Sequence, residues 1–202
     1  MKQLLLDIKP AAPPTLQNFV VGRNAEALAS LTMAISGNTP QFIYLWGESG
    51  SGKSHLLHAC RAMNINVADD VHLLNNDAQI DLFNQYNQHK EAGKFIITAG
   101  LHAPTQMGLR DDLATRLAWG LVYQLHPLND IEKATALKQH AFERGMKLPD
   151  EVVDYCLRYL RRDLPTLMAT LDALDEWSLT MQKPITLPML RKLLQLNLES
   201  ST

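Results

Sequence analysis

Eight residues, Gly47-Glu48-Ser49-Gly50-Ser51-Gly52-Lys53-Ser54, constrain this chain more than any others. Five apolar residues, Phe42-Ile43-Tyr44-Leu45-Trp46, precede them, and a helical pattern follows to about Met63. A strand, a GxxxxGK[ST] turn and a helix make a phosphate-binding loop. Its glycines let the backbone wrap an anion with N–H groups pointing inward. The helix N-terminus adds a partial positive charge. Lys53 reaches the outer phosphates, and Ser54 offers its hydroxyl to Mg²⁺. Gly47, Gly50, Ser51, Gly52, Lys53 and Ser54 are therefore candidate nucleotide ligands. The unbroken apolar run before them reads as a strand covered on both faces, the habit of a parallel sheet.

The rest of the pattern agrees. A helix is expected over 24–35, with Leu28, Leu31 and Ile35 on one face. Ile65 to Ala68 reads as a short strand ending in Asp69-Asp70, and a helix over 78–91 is stopped by Gly93. Phe95 to Thr98 is a buried strand, 113–117 a short helix and Leu121 to Leu125 a further strand. From Asn129 onward only helical periodicity remains, over about 130–144, 151–161, 164–181 and from Pro188. We expect a proline-bearing arm over 1–18, an α/β domain over 19–127 and a helical domain over 128–202.

An acidic residue at the end of a second strand completes the metal side of such a loop. Asp69 fills that place, and Asp70 is placed to orient water. Cys60 and Cys156 lie on apolar helical faces and read as buried thiols, consistent with a reducing cytoplasm. His55 and His58 share a helix face without a third metal ligand. Met146, Met168, Met181 and Trp119 read as core, and Lys133, Lys138 and Arg144 as a solvated face. With 202 residues and 46% hydrophobic content the chain can bury a real core. Its net charge of −2 advertises no nucleic-acid surface, so direct DNA binding should be weak or nil. No apolar run is long enough for a membrane span.

These residues resemble the AAA+ ATPases, and within them the DnaA replication initiators. Phe19-Val20-Val21-Gly22 resembles the segment leading into DnaA's nucleotide site, which adds Val20 and Val21 to the candidate nucleotide residues, and His55, next after Ser54, is a further candidate. Leu113-Ala114-Thr115-Arg116-Leu117-Ala118-Trp119-Gly120-Leu121 resembles the DnaA motif that carries an arginine. Residues 163–174 resemble the lid helix that bears the second nucleotide sensor. The resemblance implies an adenine nucleotide, ADP or ATP with Mg²⁺, between the α/β domain and the lid. It implies that Arg116 acts as a finger on a neighbour's nucleotide. No helix-turn-helix pattern follows residue 198. That shortened plan is similar to the Hda family, DnaA-related regulators that act with the DNA-loaded sliding clamp to make DnaA hydrolyse its ATP.

Gln3-Leu4-Leu5-Leu6-Asp7-Ile8 resembles the family's clamp-binding peptide, with Asp7 where proline is usual. Gln3, Leu4, Leu6 and Ile8 would engage the β subunit of the polymerase III clamp. DnaA would be met through the Arg116 surface, and a homo-oligomer is open. Three departures shape the expectation. The link between the first loop helix and Ile65 lacks the family's extra strand and helix, so a four-stranded sheet with one edge strand missing is expected. Gly100 stands where an acidic sensor is common, and Pro165 where an arginine is. Little hydrolysis by the chain itself should result. The competing readings are a helicase-loader-like ATPase and a nucleotide-binding adaptor.

Overall fold

The computed structural model describes residues 13–37 and 42–199. Four parallel strands form one sheet in the order β2-β3-β1-β4, with β1 at Phe42–Trp46, β2 at Asn66–Ala68, β3 at Ile96–Gly100 and β4 at Leu121–Gln124. The expected four-stranded sheet with a missing edge strand is present. Only Met63 to Ile65 separates α2 (Lys53–Ala62) from β2, too short a link for another strand and helix. Losing an edge strand leaves the central β3-β1 pairing intact.

Side chains alternate across the central strands, as the period of two requires. Ile43, Leu45 and Ile97 bury on one side with Leu31 of α1 (Ala25–Ile35) and Leu56 and Leu57 of α2. Phe42, Tyr44 and Ile96 bury on the other with Tyr86 of α3 (Asn76–Glu91) and Leu113 and Leu117 of α4 (Asp111–Leu117). Asn75 caps α3 by accepting the Ala78 N–H at 2.9 Å, starting that helix two residues earlier than expected.

Two compact units result, one of residues 13–128 and one from Asn129 onward. The second opens on a capping box, in which Asn129 and Glu132 satisfy each other's backbone N–H groups. Its helices are α5 (Asp130–Glu143), α6 (Asp150–Tyr159), α7 (Leu164–Met181) and α8 (Leu187–Glu199). They enclose Leu137, Val152, Cys156, Leu167, Leu171, Leu174, Trp177 and Leu190. Among the described residues no helix is long and apolar enough to cross a membrane.

Some expectations need correction. Trp119 is 37% exposed just beyond the end of α4, with its ring tilted against that of Phe42. Met181 is 42% exposed at the end of α7, whereas Met146 is buried and Met168 packs on the helical core. Residues 13–18, expected to belong to the arm, are docked. Thr15 and Asn18 exchange side-chain bonds to each other's N–H, and Leu16 packs on the sheet core. Both cysteines are fully buried, which pushes the Cys60 thiol up to about 12 and Cys156 up to about 11. Lys138 pairs with Asp150, and Arg144 with Asp172 and Asp175, so the charged face of α5 is tied within its own unit.

Gly120 supplies a test of the packing at the start of β4. A Cβ there would lie 1.9 Å from the Phe42 carbonyl oxygen, which is rigid strand backbone. Gly120→Ala should cost about 3 kcal/mol, near the top of the range for overpacking. The melting temperature should fall by roughly 10 °C for a chain this size. Calorimetry giving a wild-type midpoint would contradict this packing.

Candidate nucleotide site and the Arg116 platform

The loop sits where β1 ends. The Leu125 N–H donates to the Trp46 carbonyl at 2.6 Å, and a Cβ on Gly47 would lie 2.2 Å from the Leu125 carbonyl oxygen. Only glycine lets the chain leaving β4 pass this close. Gly52 has φ +97°, and a Cβ there would meet the Phe19 ring at 2.6 Å. Phe19 thus lies on the loop, with its ring 5.5 Å from that of His55. Gly50 and Ser51 complete the turn, and Ser51 is buried.

Lys53 is buried, and its Nζ donates to the Gly47 carbonyl at 2.6 Å and to Glu48 at 3.0 Å. Burial lowers its pKa, while Asp69 and Asp70 oppose that shift. The Ser54 hydroxyl donates to Asp69 Oδ2 at 2.8 Å, joining the first turn of α2 to the residue after β2. A hydroxyl and one carboxylate are hard oxygen donors that suit Mg²⁺, which keeps waters and takes phosphate oxygens for its other positions. Asp70 is exposed, adopts φ +49° and donates its N–H to Asp69 Oδ1 at 2.9 Å.

The flanking residues are organised differently from expectation. The His55 ring turns to the N-terminal segment, where Nε2 donates to the Thr15 carbonyl at 2.9 Å. Val20 and Val21 are half-buried beside the loop, Val21 against the sheet core. Asn24 pins this stretch through bonds of 2.9 and 2.8 Å to the His126 carbonyl and N–H. No sequence signal marks Asn24, because its partner lies 102 positions away.

Gly100 is glycine for a reason visible only in the fold. A Cβ would lie 2.2 Å from the Tyr44 hydroxyl and 3.0 Å from the Met107 sulfur. Tyr44 donates that hydroxyl to the His102 carbonyl at 2.8 Å. An acid at the end of β3 therefore has no room. In the helical unit, Pro165 sits in the first turn of α7, capped by Asp163. Arg161 and Arg162 lie near Asp163 and Asp130.

Arg116 occupies the last turn of α4. Its Nε donates to Asn87 Oδ1 at 3.0 Å, and the guanidinium lies 3.6 Å from the Trp119 ring centroid and 4.9 Å from that of Phe83. Stacking and one bond hold the plane while the terminal N–H groups stay available. Sequence reading missed Asn87 and Phe83. Their spacing of four on α3 was the available signal. Gly120, next to Trp119, abuts Phe42 at the start of β1, whereas the loop follows the end of β1. Arg116 and the loop therefore belong to opposite ends of a five-residue strand, roughly 13 Å long.

Residues 130–194 match the Hda lid domain. Domain III of the replication initiation protein DnaA from Thermotoga maritima superimposes with a TM-score of 0.69 and 22% identity, over 93% of this chain and 98% of that one. The chain has the fold of DnaA domain III, and its second unit matches the Hda lid domain. Its fold also matches AMPPCP-bound DnaA from Aquifex aeolicus, with a TM-score of 0.66 and 22% identity over 83% of this chain. It spans 66% of that longer initiator. A further likeness in fold is the Thermotoga maritima RuvB Holliday junction branch migration motor, with a TM-score of 0.61 and 15% identity over 89% of this chain and 70% of that one. DnaA domain III and this chain thus share a fold, which here carries a four-stranded sheet.

Proposed function

We propose that this DnaA-related protein is a nucleotide-holding regulator of replication initiation. With the DNA-loaded sliding clamp, it makes ATP-bound DnaA hydrolyse its nucleotide, and Arg116 is the finger it presents. The observation that carries this reading is the placement of Arg116 on an aromatic platform at the far end of β1 from the chain's own loop. An arginine so placed is suited to a neighbour's phosphates rather than its own. DnaA, whose fold this chain shares, is the natural neighbour.

The chain's own site would hold ADP or ATP through Gly47 to Ser54, with Mg²⁺ between Ser54 and Asp69. The bound metal would neutralise phosphate charge. Asp70 would orient water, and Val20, Val21 and His55 would shape the approach to the site. An AMPPCP-bound DnaA of the same fold supports an adenine nucleotide. The packing of Tyr44 against Gly100 leaves no acid at the end of β3, so turnover should be slow and the diphosphate state long-lived. That feature weighs against an ATPase that works alone. A cytoplasmic location follows from this role.

Gln3, Leu4, Leu6 and Ile8 lie outside the described residues. The clamp reading rests on their resemblance to a clamp-binding peptide. A single short peptide of this type should bind at roughly micromolar strength, about −8 kcal/mol. A dimeric clamp would add avidity. Gln3→Ala should lower clamp capture roughly five- to thirtyfold, since a hydrogen bond to a buried polar partner is worth about 1 to 2 kcal/mol. Intact capture by Gln3→Ala would remove this motif from the reading. The decisive assay follows hydrolysis of DnaA-bound ATP with chain and loaded clamp together and with each omitted. Stimulation that persists without the clamp, or none with both, would refute the proposal.

A further inference from the structure

Lys90 lies in the last turn of α3, and its Nζ is 4.1 Å from the centroid of the Trp119 ring that also carries Arg116 at 3.6 Å. Phe83, Asn87 and Lys90 recur at i, i+4 and i+7, so one face of α3 lines the side of the platform that faces Arg116 and Trp119. Trp119 is partly exposed, and Lys90 is exposed. Among the described residues no ion pair joins either cation to a carboxylate. The negative end of α3 accounts for a lysine in its last turn, but not for a guanidinium brought to the same ring. Two like charges held on one indole repel each other, and an anion relieves that repulsion.

We infer that Lys90 is the second cation of the Arg116 site, and that the pair grips the polyphosphate of the nucleotide held by the partner ATPase. This rests on the reading of Arg116 as a finger. The forked guanidinium suits two phosphate oxygens, and the ammonium adds a point charge on a third. Trp119 carries both cations, at 4.1 and 3.6 Å from its ring centroid, and Asn87 sets the guanidinium plane.

The test measures hydrolysis of DnaA-bound ATP with the full chain and loaded clamp, at several salt concentrations. Lys90→Met keeps the stem against Trp119 and removes the charge. Its maximal stimulation should fall roughly tenfold, with a shallower salt dependence, as expected when one charge-assisted contact is lost. Lys90→Arg should restore most of the rate, and Lys90→Glu should fall further than Lys90→Met. Clamp capture and melting temperature should not move. Full stimulation by Lys90→Met beside a silent Arg116→Ala would overturn the role of Lys90 and leave the finger standing. Full stimulation by both variants would overturn the finger and this inference with it. A Lys90→Met chain that loses only binding to bare duplex DNA would make this a nucleic-acid backbone site and overturn the inference. So would a fall in melting temperature that Lys90→Arg does not rescue.

Discussion

Arg116→Ala should leave a folded, nucleotide-holding, clamp-binding chain that no longer stimulates ATP-bound DnaA. Charge spreads over the transferred phosphoryl oxygens in the transition state, and a guanidinium supplied in trans is worth roughly 10³ to 10⁵ in rate. That equals about 4–7 kcal/mol of barrier. The fold should survive because Arg116 is half-buried and makes one hydrogen bond, to Asn87, while the neighbouring Leu113 and Leu117 carry the core contacts of α4. Arg116→Lys should fail nearly as badly. An ammonium cannot stack as a plane on Trp119 while donating from a fork. Single-turnover hydrolysis of DnaA-bound ATP reads the effect directly. A lysine variant with near-normal stimulation would mean that charge alone suffices. An alanine variant with full stimulation would place the finger elsewhere.

The second large effect belongs to Lys53. Its ammonium is buried and bonded to the carbonyls of Gly47 and Glu48, so it already lies within the turn that would surround phosphate. Burial lowers its pKa, a sign that the charged form is poorly solvated there and would gain from an anion. Lys53→Ala removes charge-assisted hydrogen bonds worth about 1.5–3 kcal/mol each. Two such contacts correspond to a loss of roughly 10² to 10⁴ in affinity. Titration with a fluorescent adenine nucleotide should show no saturation at micromolar protein. Unchanged affinity would remove the loop from the binding reading. Because the site belongs to the chain's own unit, Lys53→Ala and Arg116→Ala should separate cleanly, one losing nucleotide and the other losing stimulation.

The loop, its lysine and its serine were legible because phosphate binding is local chemistry. Glycine positions, a helix start and a lysine are all set within eight residues. The missing edge strand was legible for a similar reason, since a link of three residues cannot hold a strand and a helix. Helical periodicity located the second unit and its buried stripe, apart from Met181, where the helix end leaves the core. Trp119 was misread because an aromatic beside a strand is ordinarily covered. Here α3 brings Lys90 to the ring and α4 brings Arg116, so two cations rather than apolar side chains meet it.

By itself the sequence determined the order of strands and helices, the loop that can wrap a phosphate, the carboxylate after β2 and the arginine of α4. Each depends on neighbours within a turn or a strand. The tertiary structure alone decided what those residues face. It laid Phe19 on Gly52, turned His55 to Thr15, filled the space beside Gly100 with the Tyr44 hydroxyl and bound Asn24 to His126. It also set Arg116 and Lys90 on one indole, at the end of the sheet away from the loop. The reason is physical. Parallel pairing places residues far apart in the chain side by side, and close packing then leaves space at Gly52, Gly100 and Gly120 for a hydrogen atom and nothing larger.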